Sequence, residues 1–127
     1  MLRIRPASPW LFALSILAAL PSAAQAQEGT LKKIKDTGSI TLGHRESSFG
    51  FSYNDGGPTP VGYSIDICMK IVDAVKAELK LPRLDVRYQL VTSQNRIPLV
   101  MNGTVDIECG STTNLVERQK QVAFSPD

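Results

Sequence analysis

Residues 64–90 read SIDICMKIVDAVKAELKLPRLDVRYQL, and two periodicities meet inside that stretch. Ile65, Cys68, Val72, Val75 and Leu79 recur at steps of three and four. That spacing predicts a helix over Ser64–Leu81 with one apolar stripe. Ser64 stands where a cap is expected, and Asp66 suits the positive end of the helix dipole. Lys76 and Lys80 suit the negative end, and Pro82 prevents continuation. From Leu84 the period falls to two: Leu84, Val86, Tyr88 and Leu90 alternate with Asp85, Arg87 and Gln89. This predicts a strand with one buried face.

The neighbouring segments repeat the alternation. Upstream, Thr30–Thr37 reads as a short polar helix with Gly38 as its stop. Ser39–Gly43 follows as a strand, His44–Ser52 as a loop, and Asn54–Pro58 (NDGGP) as a turn. Downstream, Thr92–Arg96 is a polar loop, and a short helix runs from near Pro98 to Gly103. Thr104–Cys109 reads as a strand, and Asn114–Gln121 as a helix with Asn114 and Glu117 as its capping box. Val122–Ser125 reads as the start of another strand. Strand and helix in strict turn predict an α/β fold with a mainly parallel sheet flanked by helices.

The 127-residue chain divides in two. Residues 1–26 carry Arg3 and Arg5 without an acid, an apolar run from Trp10 to Leu20, and Ala24-Gln25-Ala26. That is the layout of a secretory signal peptide cleaved after Ala26. The apolar run is shorter than the roughly 20 residues a spanning helix needs. Residues 27–127 form the expected domain. The whole chain has 14 Lys and Arg against 12 Asp and Glu, so loss of Arg3 and Arg5 with the leader leaves no net charge. No global basic field invites nucleic acid, and nothing suggests more than a monomer. The two cysteines and one histidine lack metal-ligand spacing, and no cofactor is expected. Cys68 falls on the apolar helix stripe and Cys109 in a strand, where thiols pack well. Export also permits a disulfide between them. Sequence leaves both readings open, and core thiols are the simpler.

In an open α/β sheet, ligands bind beyond the carboxyl ends of the strands. Three loops meet at that edge: His44–Ser48, Thr92–Arg96 and Gly110–Asn114. Each is rich in hydroxyls or amides. Arg45 and Arg96 lie in two of them, and the third leads to Arg118. A guanidinium fork matches a carboxylate, and hydroxyls add donors without charge. Three arginines at one edge suit a ligand with two carboxylates. Singly, each has an ordinary use: Arg118 can pair with Asn114 or Glu117, and Ser93, Ser111 and Asn114 can cap helices. His44 with Cys109 has the residue types of a nucleophile pair, but Cys109 continues the strand alternation and no orienting acid is evident.

The motifs GHRESSFGFSY, VGYSIDI, TSQNRIPLVMNGTVDIECGSTTN and ERQKQVAFS resemble those of the bacterial periplasmic glutamate/aspartate-binding proteins. These are solute receptors of ABC importers, in solute-binding family 3. The resemblance runs from about Gly29 to Ser125. It implies a periplasmic-binding-protein-like (type 2) lobe and L-glutamate or L-aspartate as ligand. It also implies ABC importer membrane subunits as partners, and no enzymatic activity. Ser111, Thr113 and Arg118 match positions that hold the α-carboxylate. Arg45, Ser93 and Arg96 match positions facing the ligand, with both arginines directed to its side-chain carboxylate. Such proteins are more than twice as long, which implies that residues 27–127 are the first-lobe portion and the second lobe is absent. It also leaves Cys109 open to a partner other than Cys68. Two alternatives share the architecture. One is a cyclohexadienyl-dehydratase-like enzyme, for which Glu46 or Glu108 would supply the acid. The other is a ligand-sensor domain fused to a membrane kinase.

Overall fold

A computed structural model describes the backbone of residues 22–126 and the side chains of residues 29–126. Most of the expected leader, residues 1–21, lies outside the described residues. The first helix, α1, runs Ser22–Thr37, and Gly38 ends it with φ 65° as its N–H bonds the Ile34 carbonyl.

Among the described residues three strands form the main sheet: β1 Ser39–His44, β4 Asp85–Leu90 and β5 Ile107–Glu108. Their order is β4-β1-β5, and β1 pairs with both neighbours in parallel. Ser39 lies opposite Asp85, His44 opposite Leu90, and Gly43 opposite Glu108. The predicted parallel α/β architecture is therefore present. β5 is shorter than the expected Thr104–Cys109, but bonds from Asp106 N–H to Thr41 O and Cys109 N–H to Gly43 O extend its ladder.

The expected His44–Ser52 loop is a small hairpin, with β2 Ser47–Ser48 antiparallel to β3 Ser52–Tyr53. Gly50, at φ 81°, supplies the reversal. Two-residue strands carry no readable alternation, so this sequence looked like loop.

The helix at the centre of the sequence reading, α2, runs Tyr63–Glu78. Ile65, Cys68 and Val72 are buried from it, with Val75 and Leu79 packed alongside. They join Ile34, Ile40, Leu42 and Cys109 in one core cluster. Burial of such side chains contributes about 1.5–3 kcal/mol each. The strand alternation holds less well. Val86 and Tyr88 are half-buried, whereas Leu90 is 45% exposed, because β4 is the sheet edge and Leu90 is its last residue.

Helix α3 runs Arg96–Met101 and α4 Val116–Gln119. The expected capping box at Asn114 is not formed. Leu115 is the N-cap, and Asn114 Oδ1 instead accepts from Gln119 Nε2 at 2.8 Å. Nor is Val122–Ser125 a strand: Val122 N–H closes the turn after α4 by bonding Arg118 O, and residues 123–125 run on without regular structure. Asp106 fastens these parts. Its carboxylate accepts from Thr41 N–H at 2.9 Å and pairs with Lys33 of α1 at 2.8 Å, with the Asp106 side chain 2% exposed.

Candidate functional site

Cys68 and Cys109 form a disulfide, with Cα atoms 6.2 Å apart. The simpler expectation of two core thiols is thus overturned. Stripe position and strand position face each other across the α2–β5 contact, which single-sequence periodicity cannot reveal. The bond also removes Cys109 as a nucleophile. It lies at the mouth of the Gly110–Asn114 loop. One turn earlier on α2, Ser64 Oγ donates to Gly110 O at 2.8 Å. Ser64 therefore does not cap α2, whose N-cap is Gly62. Its hydroxyl holds the loop instead.

Around this loop the predicted residues fall into contact in pairs. Arg45 Nη1 donates to Ser93 Oγ at 3.1 Å. Ser111 Oγ lies 3.1 Å from Ser48 Oγ on the hairpin. Arg118 Nη1 donates to Thr113 O at 2.8 Å, not to Asn114 or Glu117. The Thr92–Asn95 turn is closed by Thr92 N–H to Asn95 Oδ1 at 2.7 Å and by Asn95 N–H to Thr92 Oγ1 at 3.2 Å. That turn delivers Arg96 as the first residue of α3.

Arg96 is the exception to arginine's exposed habit, at 7% exposure. Glu108 faces it, with Nη1 to Oε1 at 3.9 Å, beyond hydrogen-bond reach. Arg96 Nε and Nη1, Glu108 Oε1 and Thr112 Oγ1 are buried without a hydrogen-bond partner among the described residues. Burial lowers the Arg96 pKa from its ordinary value. Glu108 opposes that fall, and the nearby charges of Arg45 and Arg118 add to it. Arg96 is thus within electrostatic range of both Arg45 and Arg118.

The predicted set does not enclose one cavity. Arg45 and Ser93, with Glu46, Thr92 and Leu90, line a hollow of about 170 Å³. Glu108, Gly110 and Thr112 border a wider groove of about 590 Å³ between α2, α3 and residues 122–125. Of the two adjacent threonines, Thr113 is exposed and Thr112 is the one with a buried hydroxyl. Sequence reasoning gave no binding role to Glu108, Ser48 or Ser64. Ser48 lay in a loop expected at the edge and Ser64 was expected only as a helix cap, while Glu108 follows the strand period and carried no local signal.

Comparison with known proteins places this geometry in a family. The sequence model of the bacterial extracellular solute-binding proteins, family 3, matches residues 40–127. An L-glutamate/L-aspartate-binding protein of Pseudomonas aeruginosa is 64% identical over 122 residues, covering 93% of this chain and 40% of its own length. A glutamate/aspartate import solute-binding protein of Escherichia coli is 52% identical over 127 residues, covering 98% of this chain and 42% of its own. The chain therefore spans about two fifths of the length of these curated relatives. Among solved structures, the cysteine-binding protein from Campylobacter jejuni superposes with a TM-score of 0.65 at 27% identity, over 76% of this chain and 38% of that one. An ancestral cationic amino acid solute binding protein superposes equally, at 26% identity over 76% and 39%. The matched span takes in β1, α2, the hydroxyl loop and all three arginines, and the chain belongs to the bacterial extracellular solute-binding proteins, family 3.

Proposed function

We propose that this chain forms one wall of an acidic amino-acid site, for L-glutamate or L-aspartate, in a periplasmic receptor that hands its ligand to an ABC importer. The observation that carries this reading is the buried Arg96. Two of its nitrogens, Nε and Nη1, have no hydrogen-bond partner among the described residues, and the charges of Arg45 and Arg118 are near. A buried donor left unpaired costs about 1–3 kcal/mol, more when charged, and an incoming carboxylate removes that cost. Ser93, Ser111 and Thr113 supply neutral donors around it. The names of the 64% and 52% identical relatives support the same ligand class.

A leader over residues 1–26, cleaved after Ala26, is part of the proposal. So is assignment of residues 27–127 to a first-lobe portion. A dehydratase-like enzyme is less well supported. Glu46 is exposed, and Glu108 is committed to the neighbourhood of Arg96, so neither carboxylate is set up as a general acid.

NMR titration of the purified chain with L-glutamate, L-aspartate and L-glutamine tests the reading, because it detects millimolar binding. Shifts of Ser93, Arg96, Ser111 and Thr113 signals are expected with the two acidic ligands. Binding of glutamine in preference to both would defeat the acidic assignment.

A further inference from the structure

Glu108 is a carboxylate inside a site read as anion-binding. It projects from β5 opposite Gly43, and its side chain is 12% exposed against 8% for Arg96. A Cβ placed on Gly110 would lie 2.3 Å from Glu108 Oε1 and 3.0 Å from Arg45 Cγ. Glycine at 110 therefore lets the carboxylate fold over the loop entrance, under Arg45 and beside Arg96. The separation of 3.9 Å from Arg96 Nη1 gives strong attraction in a buried setting but no hydrogen bond. Glu108 Oε1 and Arg96 Nε and Nη1 have no hydrogen-bond partner among the described residues.

We infer that Glu108 is a positioning and charge-setting residue. It steadies the Arg96 guanidinium by charge while leaving its N–H fork unbonded, and it reduces the positive charge that the ligand meets. Arg45, Arg96 and Arg118 carry three positive charges, and Glu108 brings their sum to two. That sum matches a ligand with two singly charged carboxylates. A ligand whose side chain carries a second negative charge finds no counter-charge for it. The inference rests on the acidic-ligand reading above and names what sets its preference for ligand charge.

The test compares wild type with Glu108→Gln, which keeps shape and removes charge. NMR titrations use L-glutamate, L-glutamine and the phosphonate analogue of glutamate, whose side chain carries up to two charges. In Glu108→Gln the phosphonate should gain on glutamate by about fivefold, the scale of one added charge interaction at partly screened distance. Glu108→Asp should keep the wild-type order of ligands. A change by the same factor for all three ligands in Glu108→Gln would leave Glu108 a merely structural residue and overturn the inference. If Glu108→Gln does not fold, Glu108→Asp decides: loss of the wild-type order there defeats the inference and its retention supports it. If wild type binds none of the three, the proposed function fails. Glu108 is then judged without ligand, on solvent exchange of the Arg96 Nε–H, assigned by its loss in Arg96→Lys. Exchange several-fold faster in Glu108→Gln than in wild type, with Glu108→Asp close to wild type, supports the positioning role, and unchanged exchange in Glu108→Gln rejects it.

Discussion

Ser64 donates its hydroxyl to the Gly110 carbonyl at 2.8 Å, and one turn further along α2 Cys68 is bonded to Cys109. Two successive residues at the end of β5 are thereby tied to one side of a single helix. The Ser111–Thr113 hydroxyls leave from that anchored point. The loop's position depends less on its own sequence than on α2, which is itself fixed by Ile65 and Val72 in the core.

Opening the disulfide should therefore loosen the fold and the loop together. The bond closes a sequence separation of 41 residues, for which the chain-entropy effect is roughly 2–4 kcal/mol. The double variant Cys68→Ser/Cys109→Ser should melt about 10 °C or more below wild type in circular dichroism. Adding a reductant should lower the wild-type transition towards that of the variant and leave the variant unmoved. A wild-type transition insensitive to reductant would show that the bond contributes nothing.

Gly62 should be intolerant of any side chain. Its φ of 124° lies where residues other than glycine rarely go. A Cβ there would sit 2.5 Å from Phe51 O and 2.6 Å from Phe51 C. That same carbonyl accepts from Ser64 N–H at 2.9 Å, joining the hairpin to the start of α2. Gly62→Ala should cost about 2–4 kcal/mol through backbone strain and the clash, measurable by urea denaturation. It should also disturb Ser48 on the hairpin, whose hydroxyl lies beside Ser111, visible as shifts in both serines' amide signals.

Asp106 should behave as a structural carboxylate rather than a ligand contact. It takes Thr41 N–H and Lys33 together while nearly fully buried. Asp106→Ala leaves that amide unsatisfied and Lys33 without its counter-charge, held among the described residues only by the Gly103 carbonyl, for a loss of about 2–4 kcal/mol. Asp106→Asn keeps an acceptor for Thr41 and should lose less. An equal loss in both variants would assign the effect to charge alone.

The sequence made some of this legible and hid the rest for physical reasons. The helix stripe from Ile65 to Leu79 was strong because it sits in a long element with one buried face, and the alternation from Leu84 to Tyr88 was readable because those residues turn their half-buried face to the core. The hairpin at Ser47–Tyr53 was invisible because two-residue strands have no period to read. The edge where Arg45, Arg96 and Arg118 gather followed from topology: a parallel sheet places the ends of β1, β4 and β5 side by side. Contacts across elements did not follow. Cys68 with Cys109, Ser64 with Gly110 and Arg96 with Glu108 are separated by 41, 46 and 12 positions, and no local pattern couples them.

Burial distinguishes Arg96 from Arg118. Arg96 is buried, with N–H groups that have no partner among the described residues, and it faces Glu108. Arg118 is half-exposed and already braces the Thr113 carbonyl at the hydroxyl loop. If the Ser111–Thr113 loop takes the carboxylate common to all amino acids, Arg118→Ala should weaken every ligand, by about 30-fold or more for a lost charge-paired contact. Arg96→Lys keeps the charge but removes the planar fork. It should weaken glutamate and aspartate about tenfold while changing glutamine about twofold or less. Parallel titrations of both variants with all three amino acids decide the matter. Equal losses across the ligands in Arg96→Lys would mean that the buried guanidinium does not face the side-chain carboxylate. The division of labour between the two arginines would then have to be reversed or abandoned.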